Sequence, residues 1–119
     1  MISDETFRKN EHIIKTKDFR RAYKEGASFR KKALVLYVVP NSGRTNRFGF
    51  VVSSRAVKLA TRRNRIKRLL REAARKIKKD MKQGYDIVII VKRDQDRTVG
   101  LETVKKTLSD AIKEAKLLR

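Results

Sequence analysis

The segment Ile66-Lys67-Arg68-Leu69-Leu70-Arg71-Glu72-Ala73-Ala74-Arg75-Lys76-Ile77 carries apolar residues at intervals of three and four, the period of an α-helix. The apolar stripe continues to Met81. Its members are Ile66, Leu69, Leu70, Ala73, Ala74, Ile77 and Met81. We therefore predict a long helix from about Val57 to Lys82, ended by Gln83-Gly84. One side of this helix must be covered by other elements, and the opposite side is free to meet solvent or a partner.

Predicted β-strands flank the long helix. Leu34 to Val39 is rich in β-branched and aliphatic residues, and Arg47 to Ser54 follows after a turn. The short connection suggests that these two strands form an antiparallel pair. Tyr85 to Val91, after the helix, is apolar at successive positions, which indicates a strand buried on both faces or in a central position.

The remaining segments complete a single predicted domain, residues 1–119. Residues 1–11 show no period and are expected to be a loose tail. Thr16 is expected to cap a helix on which Phe19, Ala22 and Tyr23 share a face, and Gly26 to end it. A last helix is predicted from Val99 to Leu118. The predicted order is α-β-β-α-β-α, an α+β fold with a small mixed sheet packed with helices.

Positive charge dominates the composition. The chain has 33 Lys plus Arg against 13 Asp plus Glu, a formal net charge of +20. Because so much like charge repels itself, it points to a polyanionic partner: nucleic acid first, an anionic membrane second, and mere solubility third. The absence of cysteine excludes disulfides, thiolate zinc sites and cysteine nucleophiles. The longest apolar run is too short to span a bilayer and no secretory signal is visible, so a cytoplasmic location is expected.

More than half of the excess charge lies in one segment. Residues 55–82 hold thirteen Lys or Arg and two acids, a net +11. At 100° per residue, one side of the helix away from the apolar stripe is a basic band with an amide at its centre. A charged helix face is usually only a solvated surface. Here the scarcity of acids and the arginine content favour phosphate binding instead. The predicted RNA-binding residues are Arg62, Arg63, Asn64, Lys67, Arg68, Arg71 and Arg75.

Residues Ala60 to Glu72 resemble the signature of the protein subunit of bacterial ribonuclease P. That family carries Arg-Asn, then Lys-Arg, then Arg-Glu or Arg-Gln, at the spacing found here. Further similarity covers roughly residues 10 to 117, including the Gly84 to Ile90 run. Two stretches depart from the family pattern: residues 55–58 lack a glycine, and His12-Ile13 replaces an Arg-Leu pair.

The resemblance implies a function for the whole chain. The partner would be a catalytic RNA that uses Mg²⁺ to remove the 5′ leader from precursor tRNA, and the protein would assist without catalytic residues or a metal of its own. The resemblance also implies a left-handed β-α-β connection and a leader-binding cleft at Phe19, Tyr23 and Tyr37. From the residues alone, these aromatic side chains are either core residues or a platform for unpaired bases.

The sequence shows no protein active site of its own. His12, the only histidine, directly follows the predicted tail. Asp94 and Asp96 fit either a Mg²⁺ site or, more commonly, turn residues that bond their own backbone. The main alternative function is a ribosomal or ribosome-assembly protein that binds RNA through the same kind of helix. A membrane-surface module and a stand-alone nuclease are weaker alternatives, because the apolar stripe is needed for the core and a catalytic set is missing.

Overall fold

The computed structural model describes residues 11–43, 45–92 and 101–118. These residues form an α+β fold in the order α-β-β-β-α-β-α. The elements are α1 (Thr16–Glu25), β1 (Ala27–Lys31), β2 (Leu34–Pro40), β3 (Arg47–Val52), α2 (Ala60–Ile77), a 3₁₀ turn (Lys78–Asp80), β4 (Tyr85–Val91) and α3 (Leu101–Glu114). The predicted fold class is confirmed, and the long helix is shorter at both ends than predicted.

Strand β1 is an element that the sequence prediction missed. It pairs with β2 from Ala27↔Val38 to Lys31↔Leu34, through a two-residue turn. The turn residue Lys32 has a φ of 53°, a conformation that usually calls for glycine. Because β1 is a half-exposed edge strand of mixed polarity and its turn lacks glycine, it has neither the apolar pattern nor the turn signal of a hairpin.

The predicted antiparallel pairing of β2 with β3 is wrong. The strand order is β1-β2-β4-β3, so β4 lies between them, antiparallel to β2 and parallel to β3. The connection from β2 to β3 passes over the start of β4, where buried Asn46 donates to the Lys82 carbonyl (2.7 Å) and accepts from the Tyr85 N–H (2.9 Å). Central placement suits β4 because its apolar side chains are buried on both sheet faces.

The two sheet faces are covered unequally. On one face, α2 and α3 cover the main core, where the predicted stripe of α2 is buried except for half-buried Leu69. On the other face, α1 covers a smaller cluster containing Ile13, Ala22, Val39 and Val88. The parallel unit β3-α2-β4 is confirmed, and the left-handed connection implied by the resemblance remains a prediction. Basic and aromatic surfaces are therefore on different sides of the sheet.

Two glycines allow α1 to approach the sheet closely. Gly26 ends the helix as predicted, and a Cβ there would lie 2.4 Å from the Ala22 carbonyl oxygen and 3.1 Å from that of Val38. A Cβ on Gly49 would lie 2.6 Å from a ring carbon of Phe19. Thr16 is not the cap, since Lys15 occupies that position and no side chain caps the helix.

Glu11 and His12 are tied to the domain. Glu11 accepts hydrogen bonds from the buried Lys78 ammonium at 3.1 and 3.4 Å. His12 forms a parallel bridge with Phe48, and the Ile13 N–H donates to the Phe48 carbonyl at 2.9 Å. The predicted tail is therefore wrong at Glu11, and its other members, residues 1–10, lie outside the described residues.

Candidate RNA interface

The predicted basic band forms one continuous surface on α2. Asn64, Arg68 and Arg71 are exposed and Lys67 is half-buried. The side chains of Asn64, Lys67 and Arg68 make neither a hydrogen bond nor an ion pair with any described residue. Their donors are therefore available to an anionic partner.

Arg71 is held over an aromatic ring. Its guanidinium carbon lies 5.7 Å from the centroid of Phe50, which in turn stacks on Phe48 with 6.3 Å between ring centroids. This cation–π contact limits the side-chain positions that Arg71 adopts. Because the Arg71 side chain stays exposed, its guanidinium is pre-oriented toward solvent within the band.

Three other predicted RNA-binding residues have partners inside the protein. Arg63 Nη1 donates to the carbonyl oxygens of Val57 and Lys58, both at 2.9 Å, and so holds the loop that precedes α2. Arg75 pairs with Glu72, and this contact lowers the pKa of the Glu72 carboxyl. Arg62 also has an interaction within the protein. The cations of the band therefore fall into two groups: those available to a partner and those that already interact within the protein.

The first turn of α2 adds backbone donors to this surface. Leu59 is the N-cap, no side chain caps the helix, and the first turn contains no acid. The first N–H groups of an uncapped helix and its dipole favour an anion. The N-cap side chain, Leu59, is 58% exposed, so it does not cover the helix end.

The aromatic residues predicted to bind the leader lie together on the other side of the sheet. The rings of Tyr23 and Tyr37 meet edge to face, with centroids 5.2 Å apart at 74°. Tyr23 is 42% exposed, whereas Phe19 is half-buried with its ring against Gly49. Burial, together with Tyr37, raises the pKa of the Tyr23 hydroxyl, which stays neutral at physiological pH. Tyr23 and Tyr37 therefore offer ring surface, and Phe19 mainly supports the helix.

Two aliphatic residues extend the aromatic surface and were not predicted from the sequence. Val51 of β3 and Ile90 of β4 are half-buried and pack with Phe19 and Tyr37 against the smaller cluster. The paired register of β3 and β4 places them side by side. Alternation along β3 was the available signal, but only the strand order shows that these residues adjoin Tyr37. We call this surface, made of Tyr23, Tyr37, Val51 and Ile90, the cleft floor.

A buried carboxylate joins α1 to the sheet beside this surface. Asp86 is fully buried and accepts two hydrogen bonds from Arg47, at 2.8 and 2.7 Å, and one from Asn41 at 3.0 Å. From α1, Arg21 lies 3.6 Å from Asp86, and Asp18 lies 3.5 Å from Arg47. Burial alone would raise the pKa of Asp86, but the bonds from Arg47 and Asn41 and the nearby positive charges outweigh it and lower the pKa.

No group of three potential metal ligands occurs among the residues that the structure describes. Asp94 and Asp96, the candidate Mg²⁺ or turn residues, lie outside them. None of the helices in residues 11–43, 45–92 and 101–118 is long and apolar enough to cross a membrane.

The fold and the basic surface of α2 define a small RNA-binding α+β protein. The profile of the family described as Ribonuclease P matches residues 7–116. The chain is 40% identical over 108 residues to the ribonuclease P protein component of Clostridium botulinum strain Loch Maree, covering 90% of this chain and 96% of that protein. It is 37% identical to the Clostridioides difficile component, over 90% and 93% of the two chains. The chain belongs to the ribonuclease P protein family.

Solved structures of this family have the same fold. The Staphylococcus aureus protein superposes with a TM-score of 0.80 at 30% identity, covering 92% of this chain and 98% of that one. The Thermotoga maritima protein gives a TM-score of 0.76 at 31% identity, with 87% and 96% coverage. Family membership makes the chain a tRNA-processing subunit of an endoribonuclease holoenzyme.

Proposed function

We propose that the protein docks on the catalytic RNA of ribonuclease P through the basic band of α2 and holds the single-stranded 5′ leader of precursor tRNA on the cleft floor. The observation that carries the proposal is the separation of two surfaces. The band on α2 lies on one side of the sheet, and the exposed ring of Tyr23 and the half-buried ring of Tyr37 lie with α1 on the other.

The α2 surface is suited to folded RNA. No described residue uses the side-chain donors of Asn64, Lys67 and Arg68, and Arg71 is held in place by Phe50. Contacts to phosphate release counterions, so they give affinity without reading sequence. A protein that must bind a folded RNA at one fixed place benefits from a rigid helix, because the positions of its cations are set before binding.

The cleft floor is suited to unpaired bases. Every base has a flat face that stacks on an aromatic ring, so a platform of tyrosines binds a strand with little sequence preference. Such tolerance is what a leader-binding protein needs, since leaders of different precursors differ in sequence. Val51 and Ile90 add apolar surface that favours bases over water.

We assign the hydrolysis itself to the RNA subunit and its Mg²⁺ ions. The residues predicted to bind RNA are amides, lysines and arginines, which position phosphates but do not supply a nucleophile and base. The protein's contribution is to raise the affinity of the holoenzyme for substrates that carry a leader. Its place of action is then the cytoplasm, together with precursor tRNA.

Reconstitution tests this assignment. We expect the purified protein alone to leave precursor tRNA uncut, and the protein mixed with a bacterial ribonuclease P RNA to cut it at low Mg²⁺. Cleavage by RNA-free protein after stringent nuclease removal would contradict the proposal. Sequencing the RNA that co-purifies with the protein distinguishes the proposed function from the main alternative. A ribonuclease P protein would carry ribonuclease P RNA, whereas a ribosomal or ribosome-assembly protein would carry ribosomal RNA.

Replacing Tyr23 and replacing Phe19 should have different consequences. We expect Tyr23→Ala to weaken binding of leader-bearing precursor by roughly 1–3 kcal/mol, because a stacked base loses its ring. Phe19→Ala should instead lower the melting temperature, since its ring fills the space against Gly49. Affinity of the reconstituted holoenzyme, measured over a series of leader lengths, and thermal unfolding of the free protein check both variants.

Mature tRNA is the control substrate for these variants. It lacks the leader, so Tyr23→Ala should bind it as the unmodified protein does. If Tyr23→Ala lowered affinity for both substrates equally, or only lowered the melting temperature, Tyr23 would be a core residue and the cleft floor would not bind the leader.

A further inference from the structure

A cavity lies between the β1–β2 turn and α3, away from both surfaces described above. Its volume is about 390 Å³, within the roughly 300–1,000 Å³ of small-ligand sites. Helix α3 packs on β1 and α2 packs on β3, so the cavity is at the sheet edge opposite the basic band. Helix α1 lies on the other face of the sheet. The described residues that line the cavity are Lys31, Lys32, Thr103, Lys106, Thr107 and Asp110.

One wall of the cavity is a side of α3. Thr103, Lys106, Thr107 and Asp110 follow one another at spacings of three, one and three residues, which places them on one side of the helix. Thr107 is buried, and its hydroxyl donates to the Thr103 carbonyl at 3.0 Å, which leaves the hydroxyl oxygen able to accept. Thr103 is exposed, and its hydroxyl bonds to no described residue. The helix therefore holds polar atoms at fixed positions along this wall.

The facing wall is the β1–β2 turn, which brings two lysines to the cavity. Lys31 Nζ lies 2.6 Å from a carboxylate oxygen of Glu114, and this hydrogen bond and the Glu114 charge raise the pKa of Lys31. Lys32 is exposed and makes no hydrogen bond or ion pair with a described residue. On α3, Lys106 meets Asp110 at only 3.8 Å, with 79% of the Lys106 side chain exposed, so this pair is weak. Lys32 and Lys106 are therefore the cations available to an anion in the cavity.

Asp110 distinguishes the cavity from a simple phosphate site. A carboxylate repels phosphate but accepts hydrogen bonds from hydroxyl groups. A ligand that carries both a phosphate and hydroxyl groups suits both kinds of side chain, as in dinucleotide sites where an acid binds the ribose 2′-hydroxyl. The described lining contains no aromatic side chain, so it offers no ring on which a base could stack. This combination favours the sugar and phosphate of a ribonucleotide over its base.

We propose that the cavity between the β1–β2 turn and α3 binds the sugar-phosphate part of a ribonucleotide, with Lys32 and Lys106 on the phosphate and Asp110 accepting from the ribose 2′-hydroxyl. The ligand is a free nucleotide or one nucleotide of an RNA strand, since both carry this chemistry. The site should distinguish ribose from deoxyribose and should not distinguish one base from another. It does not depend on the proposed roles of the basic band and the cleft floor.

Titration of the purified protein with adenosine 5′-monophosphate tests the site. We expect the backbone amide resonances of the α3 residues that line the cavity to shift, and the binding read from them to be weaker for the 2′-deoxy compound. Lys32→Gln/Lys106→Gln should weaken this binding by about 10-fold, as expected for the loss of charge-assisted hydrogen bonds. Lys17→Gln/Lys24→Gln is the matched control. It removes two exposed charges from α1, on the other sheet face, and should leave the binding nearly unchanged.

Asp110→Ala separates recognition of the hydroxyl from attraction by charge. This variant should lose the preference for ribose and bind inorganic phosphate as tightly as the unmodified protein or more tightly, because a repelling carboxylate is gone. A residue with a merely structural role would produce neither effect. Three results would overturn the proposal: no shifts in α3 with the nucleotide, equal binding of the ribose and deoxyribose forms by the unmodified protein, or equal losses in the cavity and control double variants.

The reconstituted holoenzyme distinguishes the two sources of the nucleotide. If an RNA strand occupies the cavity, Lys32→Gln/Lys106→Gln should weaken RNA binding more than the control does. The slope of log affinity against log salt should then become shallower by about 0.7 for each lost contact to a single strand. If the ligand is a free nucleotide, RNA binding should match that of the control while binding of the monophosphate is still lost. Tyr23→Ala and the α2 variants lie outside the cavity, so their results test the proposed function separately.

Discussion

Asp86→Asn is expected to lower the free energy of unfolding by about 3 kcal/mol, near the low end of what breaking a buried ion pair costs. Asp86 is fully buried and receives three hydrogen bonds from Arg47 and Asn41. Asparagine has nearly the same volume but no charge, so the guanidinium of Arg47 loses its main partner. The cost stays at the low end because the Arg47 side chain is 31% exposed and regains water.

Asp86→Asn should cost more stability than the loss of an exposed ion pair, because its network joins two elements of the fold. Asp86 and Arg47 also interact with Arg21 and Asp18 of α1, so the network holds the helix that carries Tyr23 against the sheet. For a chain of this length, a loss of this size corresponds to a fall in melting temperature of about 10–15 °C. Chemical denaturation with circular dichroism measures it directly.

The effect of Asp86→Asn should depend on pH. The pKa of Asp86 is lowered in the folded protein, so its stabilising contribution is present above its unfolded pKa, about 3.9, and is lost as the pH falls through the lower folded value. The difference in stability between the unmodified protein and the variant should thus be complete at pH 7 and shrink progressively below pH 4. Unfolding measured at several pH values checks the sign.

Asp110→Asn is the matched control for this prediction. It makes the same change in charge, but Asp110 is half-exposed, pairs with the exposed Lys106 ammonium at 3.8 Å and otherwise only adds to the field at the exposed Lys31, so we expect a change of less than about 0.5 kcal/mol. Two results would show that the buried carboxylate is not held in its charged form. One is a loss of unfolding free energy in Asp86→Asn no larger than that in the control. The other is a loss that persists unchanged at pH 2–3.

Lys67→Ala/Arg68→Ala/Arg71→Ala is expected to weaken binding to the catalytic RNA by several hundredfold at about 0.1 M salt. If each side chain neutralises one phosphate, the slope of log affinity against log salt should become shallower by about 0.9 for each, or nearly three in all. Binding measured over a range of salt concentrations gives both quantities. Arg71 is expected to contribute strongly, because Phe50 already orients it.

Arg75→Ala is the control within the same helix. Arg75 already pairs with Glu72, so it gives up that partner before it meets a phosphate, and removing it should change the salt slope much less than Arg68→Ala does. Equal effects for Arg75→Ala and Arg68→Ala would show that RNA responds to net charge alone. If the triple variant kept its affinity for the catalytic RNA and its salt slope, the basic band would be only a solvated surface.

Local periodicity was sufficient to predict several parts of the molecule. The stripe from Ile66 to Met81 is buried except for half-buried Leu69, and the apolar run Tyr85–Val91 is buried except for half-buried Tyr85 and Ile90. Spacing predicts this because helical and strand periods place side chains on faces whatever the rest of the chain does. The position of the basic band follows in the same way. The pair between Glu72 and Arg75 was not predicted, although its spacing of three residues was an available signal.

Strand order, in contrast, was decided by the tertiary structure. The sequence suggested that β2 and β3 pair because they are neighbours along the chain, but β4 lies between them, where its side chains are buried on both faces. The burial that β4 gains in the central position depends on which sheet surfaces the three helices cover. No local sequence pattern predicts this. The same long-range order places Val51 and Ile90 beside Tyr37.

The amino-acid sequence by itself determined the type of each long element, the net charge and the signature from Ala60 to Glu72, since these depend on residue identity and short spacings. Only the tertiary structure decided which cations are available and which aromatic rings are exposed. Arg63 is engaged by the Val57 and Lys58 carbonyls, while Arg68 has no partner among the described residues. Phe19 is packed on Gly49, while Tyr23 is exposed. The physical reason is that exposure and hydrogen bonding depend on what packs nearby, and packing is set by segments distant along the chain.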